Sequence, residues 1–192
     1  MMSPRRFLFT CALALAVAGC KEPVPLHGVG FAEMAAAAPL ALTDAEGRAF
    51  DLATQLGKVT VIYFGYTHCP DICPTTLQDW AKARKALGAV ADKAQFVFVS
   101  MDPERDTPKV ALDYARQFDP SFLGFAPTAA QLEGIKKAWG IDAFREAGAD
   151  STSYGVAHPA QAFVIDQQGK LHLLFPPGMP VADIVSDLRQ LL

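Results

Sequence analysis

The body of this 192-residue chain has no cluster of lysine and arginine, no G-x-G-x-x-G, no Walker-type phosphate loop and no internal repeat. With a formal net charge of −3, the first absence makes nucleic acid a poor partner. The others leave no nucleotide-binding loop and no repeat array. A long apolar run is missing too, because the stretch Phe7 to Ala18 is too short to be a comfortable transmembrane helix. Cysteine is scarce, with four in all. What is plentiful is apolar side chain, 51 % of residues, which argues against disorder and suffices for one domain with a real core.

The first twenty residues, MMSPRRFLFTCALALAVAGC, have the shape of an export signal. Arg5 and Arg6 form a positive start, a short apolar stretch follows, and small residues precede Cys20. Val17-Ala18-Gly19-Cys20 resembles a bacterial lipobox, whose cysteine is lipidated and becomes the first mature residue. The plainer alternative is ordinary secretory cleavage nearby, with Cys20 incidental. The expected organisation is a signal peptide over 1–19, a lipidated N-terminus and tether over 20–38, and a domain over 39–192, exported to the periplasmic side and held to a membrane through its lipid. Losing Arg5 and Arg6 lowers the net charge from −3 by two, to −5. His27 falls in the tether and reads as a solvated histidine. Once Cys11 is removed and Cys20 lipidated, Cys69 and Cys73 remain, in a compartment where thiols oxidise unless kept reduced.

Within the body, Leu40–Leu42 and Ala49–Leu52 around Asp44–Gly47 predict a small β-hairpin. KVTVIYFGY (58–66) and QFVFVSM (95–101) read as strands buried on both faces. Between them, Pro74 can open a helix carrying Leu77, Trp80, Ala81 and Leu87 inward. Thr107 can cap a helix from Pro108 that buries Val110, Ala111, Tyr114, Ala115 and Phe118. A third helix follows Thr128, burying Leu132, Ile135, Ala138 and Trp139 and ending at Gly140. Gln161–Asp166 and Lys170–Phe175 form a hairpin, and Pro180 opens a last helix. This order predicts an α/β fold: one thioredoxin-like domain, a central β-sheet flanked by helices, with cysteines at the first strand-to-helix turn.

A cysteine at a helix start gains from the unpaired N–H groups and the positive dipole end, which favour thiolate. The i, i+4 spacing of Cys69 and Cys73 can place both sulfurs on one side of a turn and also permits a disulfide. Metal binding and redox cycling therefore both remain open. Two sulfurs alone make an incomplete zinc site, whereas soft Cu(I) tolerates few ligands and imidazole suits copper. His68 is adjacent to Cys69 and should point away, and His172 lies within a strand. His158 lies in the loop before a strand that should pass the cysteine turn. A lone loop histidine is ordinarily a surface residue, so composition alone does not make it a ligand. Asp71 can shape the loop through an Asx turn. Asp102, Glu104, Arg105 and Asp106 read equally as a docking surface or a self-paired cap.

Three segments in order carry a resemblance. Phe64-Gly65-Tyr66-Thr67-His68-Cys69-Pro70-Asp71-Ile72-Cys73-Pro74, Ser100-Met101-Asp102-Pro103-Glu104-Arg105-Asp106-Thr107-Pro108 and Tyr154-x-Val156-x-His158 resemble the signatures of the Sco/SenC family, over roughly Leu40 to the C-terminus. The resemblance implies a membrane-anchored, thioredoxin-like copper chaperone. It would bind one copper, Cu(I) or Cu(II), through Cys69, Cys73 and His158. It would serve the binuclear copper centre of cytochrome c oxidase, with the copper-centre subunit, a periplasmic copper donor and a thiol reductant as partners. The alternative is a thiol-disulfide oxidoreductase using Cys69 and Cys73 to keep the oxidase's copper-ligand cysteines reduced. A peroxiredoxin-like peroxidase ranks last, because the residues before Cys73 depart from that pattern. Ala157 and Pro159 stand where the family usually has an acidic residue and a Ser or Thr. Pro159 also stands about where thioredoxin folds keep a cis-proline.

Overall fold

The computed structural model describes residues 25–147 and 153–192. The expected signal segment and Cys20 lie outside the described residues.

Three buried strands form the centre of the fold. β4 (Val59–Gly65) is buried at every residue, as its unbroken β-branched and aromatic composition predicts. It pairs in parallel with β5 (Ala94–Ser100), in register from Val59↔Ala94 to Gly65↔Ser100. On its other side runs antiparallel β9 (Ala162–Ile165), which forms a hairpin with β10 (Leu171–Phe175). Alternation along β4 sends successive rings to opposite faces. Tyr63 meets Trp80 of α1 (Ile72–Leu87), while Phe64 meets Trp139 of α3 (Ala129–Trp139). The helices therefore sit on both sides of the sheet. α2 (Pro108–Phe118), capped by Thr107 Oγ1 as expected, brings Tyr114 onto Phe98 of β5. α4 (Val181–Leu191) packs beside α1. The predicted hairpin forms as β2 (Ala41–Thr43) and β3 (Ala49–Asp51), and Phe50 packs on Phe125.

The structure differs from expectation in several places. A strand unforeseen in the sequence, β6 (Leu123–Phe125), extends the sheet beyond β5. It is only three residues long and centred on glycine, so no periodicity announces it. Val110 and Ala138, expected inward, are exposed, and Leu112 is buried instead. α1 begins at Ile72, so Pro74 is its third residue rather than its first. First-turn N–H groups have no intrahelical acceptor, so proline is tolerated there. All described peptide bonds are trans, including His158–Pro159.

The described part of the expected tether is not free. β1 (Val29–Gly30) adds a strand beside β10, completing the order β1-β10-β9-β4-β5-β6. Leu171 N–H donates to the Ala35 carbonyl, and Ala37 N–H to that of Gly169. His27 is not simply solvated. Its backbone N–H and that of Gly28 donate to the carboxylate of Asp187, at 3.0 and 2.8 Å, and its Nδ1 lies 2.9 Å away. Asp187 is completely buried on α4, and a buried carboxylate without donors would be costly. The hydrogen bond to Asp187 raises the His27 pKa, against a smaller opposing effect of burial. A raised histidine pKa stabilises the fold fully below about pH 6.5, and that contribution is lost as pH rises through the folded-state value. The urea midpoint of the parent should therefore fall relative to that of His27→Gln between pH 6 and pH 9. Parallel curves would show that the imidazolium contributes nothing.

Candidate metal centre

The site forms where β4 ends and α1 begins. After Gly65 the chain turns, and Cys69 N–H donates to the Tyr66 carbonyl. Cys73 falls in the first turn of α1, and its N–H points at Cys69 Sγ, 3.4 Å away. The helix start therefore solvates the sulfur of Cys69. Cys73 is fully buried, and burial pushes its thiol up to about 12. Burial thus works against the thiolate expected there from the helix start.

β8 (Val156–Ala157), paired with β7 (Phe144–Arg145), delivers His158 to the same spot. His158 Nε2 lies 3.7 Å from Cys73 Sγ, and one ligand atom from each of Cys69, Cys73 and His158 falls within 4.8 Å of the others. The ring's Nδ1 is 2.9 Å from the Pro159 carbonyl. A carbonyl only accepts, so Nδ1 carries the proton and Nε2 faces Cys73 Sγ with its lone pair. Burial lowers the His158 pKa, which keeps the ring neutral near pH 7. Tyr63 and Tyr66 meet the imidazole edge-on, at 5.7 and 5.6 Å between centroids. The departure at Pro159 leaves the ring an orienting partner, because a backbone carbonyl supplies it whatever the side chain.

Other parts of the site were not legible as such. Tyr63 OH lies 3.8 Å from Cys73 Sγ, at the inner wall. Gly65 stands at a close approach. A Cβ there would stand 3.0 Å from Cys73 Sγ and from the Tyr63 and Phe98 rings.

The acidic loop resolves mainly as a self-paired brace. Asp106, buried, accepts hydrogen bonds from Thr67 N–H, Thr67 Oγ1 and Ser100 Oγ, tying the cysteine loop to the end of β5. Asp102 accepts from Arg105 and from Tyr154 OH. Arg105 also stacks 3.5 Å from the Tyr154 ring centroid and donates to its carbonyl. The second motif thus holds both the cysteine loop and the strand leading to His158. Glu104 remains exposed. His68 points to Asp106, 3.6 Å away, and not to the sulfurs. Asp71 makes no capping hydrogen bond through its side chain. His172 lies 3.2 Å from Asp166 on the β9–β10 hairpin.

The carboxylate of Asp106 accepts from Thr67 N–H, Thr67 Oγ1 and Ser100 Oγ, so an amide there loses the charge-assisted acceptor and turns its N–H toward the Thr67 hydroxyl, which must then accept instead of donate. Asp106→Asn should cost about 2 kcal/mol, or roughly 4–8 °C of melting temperature for a domain of this size. An unchanged thermal midpoint would show that the brace is dispensable.

Comparison with known proteins agrees with this geometry. The family model described as SCO1/SenC matches residues 32–192. An SCO2-like protein of Rickettsia felis is 34 % identical over 130 residues, covering 67 % of this chain and 63 % of its own length. The mitochondrial protein SCO2 of Saccharomyces cerevisiae is 32 % identical over 151 residues, covering 77 % of this chain and 47 % of its own. The chain thus spans less than two thirds of either relative. The copper-bound structure of Bradyrhizobium japonicum ScoI superposes with a TM-score of 0.75 at 34 % identity, covering 82 % of this chain and all of that one. The apo Sco1 solution structure from Thermus thermophilus gives 0.79 at 33 %, covering 88 % and 98 %. With its family model matched over nearly the whole described fold and its sheet, helices and cysteine turn in thioredoxin-like arrangement, this chain belongs to the SCO1/SenC family.

Proposed function

We propose that this chain is a copper metallochaperone that holds one copper ion through Cys69, Cys73 and His158 and delivers it to the binuclear copper centre of cytochrome c oxidase. The observation that carries the reading is the convergence of two thiols and a neutral imidazole nitrogen within 4.8 Å. Metal bonds of about 2.3 Å to sulfur and 2.0 Å to nitrogen place those atoms about 3.5–3.7 Å apart in tetrahedral or trigonal geometry. The 3.7 Å between Cys73 Sγ and His158 Nε2 fits without rearrangement. The two sulfurs suit soft Cu(I), and the imidazole extends the site to Cu(II). Three ligands leave copper a free side, which suits hand-over by ligand exchange. Loading would release a proton, since burial raises the Cys73 thiol to about 12 and a ligating sulfur must be thiolate. Cys20 would carry the lipid on the periplasmic side after removal of residues 1–19. The partners would be the oxidase's copper-centre subunit, a periplasmic copper donor and a thiol reductant.

A second reading, thiol-disulfide reductase toward the oxidase's copper-ligand cysteines, is favoured by one observation. Cys69, the more exposed of the pair, has its sulfur aimed at by the Cys73 N–H, as an attacking thiolate needs. The test is titration of the reduced protein with Cu(I) and Cu(II) against a competing chelator, beside a disulfide-exchange assay. One copper per chain, weakened in His158→Ala while exchange persists, supports the chaperone. Exchange without copper retention supports the reductase.

A further inference from the structure

The described residues include six large apolar side chains that are exposed: Val29, Phe31, Met34, Leu56, Val110 and Phe144. Three of them lie on the N-terminal strap that covers the β10 edge. Leu56 joins them, since its Cδ2 reaches to 3.1 Å of where a Cβ on Gly169 would stand, and Gly169 bonds the strap through Ala37. A shallow groove lined by Ala36, Ala37, Pro39, Leu52 and Leu56 continues the same surface. Glu33 is the only charged residue between Gly28 and Thr43. Apolar side chains exposed along one edge are a candidate contact with another phase or molecule.

The chain outside the described residues says which. If Cys20 carries a lipid, four residues lie between it and Pro25, and the five steps from one to the other span at most about 18 Å. A domain of this size has an outer radius of about 20 Å. The exit point is then fixed by the bonds of His27 and Gly28 to the buried Asp187. The lipid therefore holds the edge from which the chain leaves the fold nearest to the bilayer. We propose that the strap edge, through Val29, Phe31, Met34 and Leu56, lies against the lipid surface, an inference that rests on the lipid-anchor reading above. Interfacial apolar side chains add to a lipid anchor the second signal that stable attachment requires.

Such docking orients the metal centre. β4, which ends at the cysteine turn, is three strands from β1, or about 14 Å at ordinary strand spacing. With β1 on the membrane, the sheet stands on its edge and the strands run along the surface. The cysteine turn then opens sideways, just above the bilayer, toward a recipient standing on the same membrane.

The test uses the full lipidated chain in dioleoylphosphatidylcholine vesicles, with and without the dibrominated lipid. Tryptophan is placed on the strap by Phe31→Trp, and on α2 by Val110→Trp as a control. Relative to the parent, emission at position 31 should be quenched by brominated chains more than about twofold, as for an interfacial side chain, and at position 110 hardly at all. Equal quenching at both positions overturns the inference. Intact mass at Cys20 separates the two readings. Lipidated but unquenched protein overturns the docking and leaves the anchor standing, whereas unlipidated protein overturns the anchor and the docking with it. A blue shift that grows with protein concentration in the absence of vesicles would assign the strap to a second copy of the chain, and would also overturn it.

Discussion

Cys73→Ser should lose copper affinity by more than about 100-fold, beyond what changes to groups behind the ligands produce. The hydroxyl is a hard, scarcely ionised oxygen where the site offers a sulfur, and soft Cu(I) prefers thiolate. Nothing can replace it locally, because Cys73 is fully buried, between Tyr63 OH and His158 Nε2. The fold should survive, since serine is smaller and can use the Tyr63 hydroxyl as its hydrogen-bond partner. Loss of copper with an unchanged melting temperature, read by chelator competition and calorimetry, is the expected pair of results. His158→Ala should weaken binding less, because both thiolates remain. Retention of copper by Cys73→Ser at parental affinity would remove that sulfur from the site.

Gly124→Ala should destabilise the fold by about 3 kcal/mol, a fall of roughly 6–12 °C in melting temperature. Gly124 is the centre of β6, and α2 crosses it at backbone contact. A Cβ there would lie 2.2 Å from the Ala111 carbonyl oxygen and 2.7 Å from Leu112 Cα. These are backbone atoms of a packed helix, so no rotamer change relieves the clash, and α2 must move off the sheet. Gly134→Ala is the control. It sits within α3 with nothing within 4 Å of its would-be Cβ, and alanine there should gain about 0.5–1 kcal/mol through helix propensity. Equal effects at the two positions would mean that the close approach at Gly124 is not what the glycine serves.

Much of the fold was legible because its signals are local. The two-sided burial of β4 and β5 shows in runs of β-branched and aromatic residues, the caps at Thr107 and Thr128 in their side chains, and the hairpins in their turns. β6 was illegible because three residues carry no period, and its pairing is decided by what β5 leaves open. The strap was misread as a tether for a related reason. Its composition is that of a linker, and only the β10 edge and the buried Asp187, some 160 residues away in sequence, make it structure. The acidic loop could be read either way from sequence, because burial of Asp102 and Asp106 depends on Tyr154, Thr67 and Ser100 meeting them in space.

By itself, the sequence determined that two cysteines stand four apart at a strand-to-helix junction, that the body is a β-α-β fold completed by a hairpin, and that three motifs in order resemble one family. The first two follow from spacing and periodicity, which are properties of neighbouring residues, and the third is a resemblance carried by the residues of the motifs themselves. Only the tertiary structure decided that His158, 85 residues beyond Cys73, brings Nε2 to 3.7 Å from its sulfur, with the proton parked on the Pro159 carbonyl side. It also decided that Cys73 is fully buried, which pushes its thiol up to about 12. Both depend on which surfaces are withdrawn from water when distant segments pack, and desolvation is a property of the assembled fold rather than of any stretch of chain.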